Sequence, residues 1–242
     1  RLSSAYGNGD GVDFDQERAL SLLKEAAANG CEEAQSDLAW TYMFGWFGMT
    51  KDEVKGKNMF ETLIKKSENS YIQSRYAYLL LSGSEDLYEK NPEKGLRILK
   101  QVKDKNEPYY LWVMGIVYSI GVGKIDKDWN EAIDYYIKSF EKGRRYSSCF
   151  IASIFLDKGI KDFYNIKQGI EWLKKGVESN STDAMLSLSN IYLISEDDVN
   201  YEKFKSYRNP EKGIELLQNA ANHGNGEAYW QLGNEYFYGN NV

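Results

Sequence analysis

Two landmarks recur along the chain at one spacing. Apolar helical patterns close on Gly30, Ser67, Asn106, Gly143, Asn180 and Gly224, at steps of 37, 39, 37, 37 and 44 residues. Ala19, Gly56, Gly95, Ala132, Gly169 and Gly213 reproduce the same five steps. This period constrains the fold more than any motif does. It marks supersecondary units that cannot bury an apolar face alone and must stack on their neighbours. The expectation is an all-α solenoid of about six helix-turn-helix repeats, a single array over residues 1–242 with partial repeats at both ends.

Each copy has the same local logic. Asp15, Asp52, Asn91, Asp128, Asn165 and Asn209 stand four residues before the small position, where a short acceptor caps the free amides of a new helix. Pro92 and Pro210 follow two of these caps, at a position whose amide has no partner to lose. Apolar pairs such as Leu22 with Leu23, Ile98 with Leu99 and Leu216 with Leu217 then form one stripe. Gly or Asn at the closing position suits a left-handed cap, and Ser67 suits it least. A second pattern follows each close, clearest as Ala34, Leu38, Ala39, Tyr42, Gly45 and as Ala228, Leu232, Gly233, Tyr236, Gly239. Its central small residue lets a neighbouring backbone approach.

Gly7, Gly9 and Gly11 raise a competing reading, a phosphate cradle. Such a cradle follows a strand, and no strand pattern precedes Gly7. At Gly123-Lys124, Tyr118 replaces the first glycine of a phosphate loop and Ile125 its hydroxyl residue. The run is read as an elbow: Gly9 ends a helix, Gly11 and Val12 turn, and Asp15 caps the next helix.

These residues carry a resemblance. Tyr6, Gly9, Gly11, Val12, Asp15, Arg18, Ala19, Lys24, Ala26, Ala27 and Gly30 match the Sel-one-like repeat (SLR), a relative of the tetratricopeptide repeat, almost place for place. The resemblance covers the whole chain and implies a right-handed α/α superhelix whose inner face, lined by the first helix of each pair, binds other proteins. Relatives serve as adaptors in signalling, in protein quality control and in bacterial host contact, secretion or toxin neutralisation. The motif residues build the scaffold, so they imply the fold more sharply than the partner.

Residues pointing away from the partner helix are candidates for a binding face. Among them Trp40, Phe44, Tyr78, Trp112, Tyr146, Trp230, Phe237 and Tyr238 form an aromatic set where a solvated face would carry Lys and Glu. Large rings suit interface anchors, and a groove of them suits an extended or helical segment. The competing reading is that they pack one repeat onto the next. The function expected is a protein-interaction scaffold or adaptor, taken as a monomer, with a protein or peptide partner. The alternative is a dedicated inhibitor, or immunity-type protein, of one folded partner.

Other classes are disfavoured. Net charge −6 and a pI near 5.1 argue against nucleic acid as ligand. The compact basic spot of Lys142, Arg144 and Arg145 is read as complementing a helix end. No apolar run is long enough for a membrane span. Cys31 and Cys149 are expected on the order of 30 Å apart in a stack with about 8–10 Å between helices, too far for a bridge. A cytosolic protein and an exported one without disulfides both fit, so the compartment is open. No metal or other cofactor is expected from one histidine, His223, and two separated cysteines. Ser21-x-x-Lys24 and Ser139-x-x-Lys142 imitate the nucleophile motif of penicillin-recognising hydrolases, but the accompanying elements are absent, and an enzyme is not expected. The connection Ser195–Arg208 reads equally as a binding edge or as a neutral length change, and Trp46-Phe47 as a cover for the next repeat or a partner contact.

Overall fold

The structure, a computed structural model, describes residues 15–83 and 87–239. The glycine run at Gly7, Gly9 and Gly11, with Tyr6 and Val12, lies outside them. The described chain is all-α, its helices in stacked pairs of the repeat-solenoid kind, with one isolated bridge between Val122 and Ile125. It divides into two compact units at Arg144 and Arg145. The first holds α1 (Gln16–Ala28), α2 (Glu32–Phe44), α3 (Glu53–Ile64), α4 (Ser70–Ser82), α5 (Pro92–Gln101), α6 (Pro108–Ile120) and α7 (Trp129–Glu141). The second holds α8 (Ser147–Leu156), α9 (Ile166–Glu178), α10 (Thr182–Tyr192), α11 (Tyr201–Phe204), α12 (Pro210–Asn222) and α13 (Gly226–Tyr238). Within each pair the helix that comes first is called leading here, its successor trailing.

All six trailing helices start as their sequences predict. Asp15, Asp52, Asn91, Asp128, Asn165 and Asn209 are N-caps with φ between −153° and −137°, each side chain accepting a backbone N–H of the first turn. The cap backbone has a second task. The N–H of Asp52 donates to the Tyr42 carbonyl at 2.8 Å, Asn91 to Leu80 at 2.7 Å, Asp128 to Tyr118 at 2.9 Å, Asn165 to Phe155 at 2.8 Å and Asn209 to Tyr192 at 2.9 Å. Each bond ties the start of a trailing helix to an otherwise unpaired carbonyl near the end of its leading helix. One residue therefore starts one helix and finishes another.

Four closing residues, Gly30, Gly143, Asn180 and Gly224, take the left-handed conformation. The residue after each donates its N–H back five positions: Cys31 to Ala26, Arg144 to Ser139, Ser181 to Gly176 and Asn225 to Ala220, at 2.9–3.1 Å. The other two depart from expectation. Ser67 keeps negative φ and works through its hydroxyl, which donates to Glu32 Oε2 at 2.7 Å and accepts the Asn69 N–H at 3.0 Å. Asn106 does not end a helix. α5 stops at Gln101 because Val102 turns inward and is buried, and Lys105 Nζ donates to the Leu99 and Lys100 carbonyls at 2.6 and 3.1 Å.

The small residues mark where helices cross. A Cβ added to Gly56 would lie 2.5 Å from the Ala39 carbonyl oxygen, and one added to Gly95 3.0 Å from that of Ala77. In the second unit Gly169 and Gly213 make room instead for the side chains of Leu156 and Leu193. The core of the first unit gathers Trp40, Met43, Phe60, Leu63, Ile72 and Leu79, that of the second Ile170, Leu173, Met185, Leu188 and Leu217. The Ser195–Arg208 connection is packed rather than loose. Phe204 is buried in the second core, Lys203 Nζ donates to the Leu156 carbonyl and Arg208 Nε to that of Ile194 at 3.1 Å.

Candidate functional site

In the first unit the leading helices α2, α4 and α6 lie side by side. Side chains on and beside these helices form a continuous line of rings and guanidinium groups. Trp46, Phe44 and Trp40 lie within 5.1–6.0 Å of one another by ring centroids. Arg75 Cζ sits 4.0 Å over the Trp40 ring and 5.0 Å over that of Tyr71. Tyr71 meets Tyr109 edge to face at 5.5 Å, and Tyr109 meets Trp112 at 5.2 Å. Tyr78 joins Trp112 at 4.9 Å. The line ends with Arg144, whose Cζ lies 4.3 Å over Tyr109 and 4.4 Å over Trp112. Cations over aromatic faces are attracted by the ring quadrupole, most strongly where water is excluded.

Arg75 is the knot of this line. Its Nη1 donates to Ser36 Oγ at 3.1 Å, to the Tyr71 hydroxyl at 2.8 Å and to Asp37 Oδ1, while the Tyr71 hydroxyl donates to the same carboxylate oxygen at 3.0 Å. The Arg75 side chain is 4% exposed and that of Asp37 41%, so the pair has one buried and one wet member. Burial drives the Tyr71 phenol upward and pushes Tyr109 up to about 12, against the pull of the neighbouring guanidinium groups. Burial also raises the Glu107 carboxyl and lowers Arg144.

The expected site residues fare unequally. Trp40 and Trp112 are 7% and 3% exposed, closed over by Arg75 and Arg144 and by rings of adjacent helices, so neither indole is an open anchor. Phe44 is exposed beside Trp46, and Tyr78 is half-buried. In the second unit Tyr146 is exposed and meets Phe150 at 5.1 Å. On α13, Trp230 is 64% and Phe237 80% exposed, with Tyr238 against Phe237 at 4.9 Å. Sequence reasoning missed Arg75 and Arg144. Asp37 and Arg75 stand at one register, three residues after Ala34 and Ile72, and that opposed pair was a readable signal. Arg144, read as a helix-end charge, folds onto rings instead.

The side chains offered for other chemistry are engaged elsewhere. Ser139 is buried and donates to the Pro108 carbonyl at 2.7 Å, so it is no free nucleophile. His223 forms the C-cap of α12, with Nδ1 2.7 Å from the Asn219 carbonyl. Both cysteines are free, and burial pushes the Cys149 thiol up to about 12. Among the described residues no group of three or more His, Cys, Asp or Glu is placed to hold a metal, and no helix is long and apolar enough to cross a membrane. Away from the leading-helix side, Glu61, Ile64, Lys65, Gln73, Tyr76, Ile98 and Gln101 line a shallow groove of about 420 Å³.

No curated protein sequence matches the chain significantly. Solved structures do. A protective antigen of uropathogenic Escherichia coli displaying an SLR fold aligns over 100% of the chain at 24% identity and TM-score 0.52, and the chain spans about half (49%) of that antigen's length. A Sel1 repeat protein from Oxalobacter formigenes aligns at 25% identity and TM-score 0.56 over 90% of the chain and 82% of its own. An immunity protein from Pseudomonas aeruginosa shares the fold at 16% identity and TM-score 0.59, over 86% and 74%. The Sel1 repeat profile matches residues 1–31, 32–66, 71–102, 108–143, 148–181, 201–225 and 226–242. These matches fill most of the sequence, and the chain belongs to the Sel1 repeat family.

Proposed function

We propose that this chain is a protein-binding scaffold rather than an enzyme, and that its repeats act as one array capturing a partner protein or peptide along the leading helices. The observation that carries the reading is the set of large aromatic side chains left exposed on or beside those helices: Phe44 and Trp46 in the first unit and Tyr146 in the second. Rings of this size act as anchors when a partner covers them. Half-buried Tyr78 adds a rim to the first set, and Trp40 and Trp112 are its supporting layer.

The test is affinity capture with the intact chain, comparing wild type with F44A/W46A and with Y146A, each confirmed folded by circular dichroism. One retained protein should be enriched by wild type and depleted about tenfold or more by at least one variant. Equal retention by all three chains overturns the reading. A second reading, a dedicated inhibitor of one folded protein, is supported by the shared fold of the Pseudomonas aeruginosa immunity protein. It predicts a retained partner that is a single folded protein whose activity stops on binding, in place of a family of peptide segments.

A further inference from the structure

We propose that Arg144, laid over the rings of Tyr109 and Trp112, is a carboxylate-binding site that takes an Asp or Glu side chain of a partner protein segment. The inference rests on the protein-binding reading above and names the chemistry of one contact.

Arg75 and Arg144 occupy comparable places, each a guanidinium laid over two aromatic rings. Their partners differ. Arg75 has a carboxylate, a serine hydroxyl and a phenol hydroxyl. The Arg144 guanidinium has no hydrogen bond and no ion pair within 4 Å among the described residues, and its Nε–H, like that of Arg75, is enclosed without an acceptor. Glu107 lies close enough to attract the guanidinium, but it caps α6, its Oε2 accepting the Tyr110 N–H at 2.7 Å, and makes no hydrogen bond to Arg144. A guanidinium carries five donors and stays cationic, so a half-buried one without an acceptor is costly to keep. Burial disfavours the cation, Tyr109, Tyr71 and Glu107 offset that only in part, and Arg75 adds a second positive charge close by.

What would relieve this arrangement is an acceptor with two oxygens in one plane. A carboxylate matches the guanidinium fork bidentately, and the two rings under the group hold it in place. One unpaired cation suits one carboxylate. The acidic balance of the whole chain disfavours a polyphosphate backbone as the source of the oxyanion.

The experiment uses the full chain labelled with ¹⁵N and follows the arginine Nε–H correlations. The Arg144 signal is assigned by its loss in R144K. Three probes are titrated: acetylated tetraglutamate amide, acetylated tetraglutamine amide, and tetraglutamine with a free C-terminal carboxylate. The tetraglutamate amide should move the Arg144 signal saturably, the tetraglutamine amide should leave it in place, and R144K, which keeps charge but loses the fork, should weaken tetraglutamate binding about tenfold. A shift with the free C-terminus alone reassigns the carboxylate to a chain end and overturns the side-chain assignment. No shift with any carboxylate overturns the site, a result that needs no variant to fold. If wild type and R144K retain the same partner equally while F44A/W46A loses it, the scaffold reading stands and this site falls.

Discussion

At the scale of single residues, the aromatic line shows how a side chain offered for recognition becomes structural. Trp40 packs against Phe44, Trp46 and Phe60 and carries Arg75 on its face, yet its indole Nε1 is enclosed without an acceptor. Packing and the cation, not a hydrogen bond, hold it. W40A should therefore cost about 3–5 kcal/mol, the usual penalty for emptying a large aromatic site. W40F should cost far less, since it keeps a ring under Arg75 and gives up no hydrogen bond. Urea denaturation of the two variants checks the contrast; equal losses would mean that the indole N–H has a partner. Tyrosine and arginine are coupled in the same way at Tyr71, where one hydroxyl both donates to Asp37 and accepts from Arg75.

At the scale of helices, a central small residue sets how closely a pair can cross. Gly115 on α6 is such a residue. A Cβ on Gly115 would fall 2.4 Å from the ring of Tyr136, which is fully buried and fixed through its hydroxyl to Ser119 Oγ at 3.1 Å. G115A should cost roughly 1–3 kcal/mol by overpacking. Thermal unfolding checks it; an unchanged midpoint would mean that the Tyr136 ring moves aside freely. The helices themselves were legible because their start signals are local: an Asx acceptor, a first turn and a small residue four places on. The failed boundary at Asn106 was not, since α5 is closed by an inward valine and by the amine of Lys105, which reaches back to Leu99 and Lys100. A lysine used as a cap leaves no compositional mark. Lys203 on the carbonyl of Leu156, the last residue of α8, is a further case.

For the molecule as a whole, the sequence marked which helix faces carry aromatics but not which of those rings stay open. The covers of Trp40 and Trp112, Arg75 and Arg144, come from segments some thirty residues away, so their effect exists only once helices are placed. That burial of phenols also sets how the protein meets alkali. Tyr109 and Tyr110 are each pushed up to about 12 by desolvation, Cys149 likewise, and Tyr71, Tyr88 and Tyr136 are raised by the same cause. An unfolded tyrosine ionises near pH 10 and an unfolded cysteine near about 8.5. Raised folded values mean that the folded state holds these protons more tightly, so their contribution is fully present below the unfolded values and is lost as pH climbs toward about 12. Lys105 and Lys203, lowered by burial, pull the other way but are fewer. The urea midpoint should therefore hold level up to about pH 9 and then fall steadily between about 10 and 12, with tyrosinate absorbance near the unfolding transition appearing together with loss of helix. Phenols that ionise near pH 10 while the helical signal stays intact would show that these rings are open to water. In that case the closed layer of Tyr71 and Tyr109 could not be the support on which Phe44, Trp46 and Arg144 are presented.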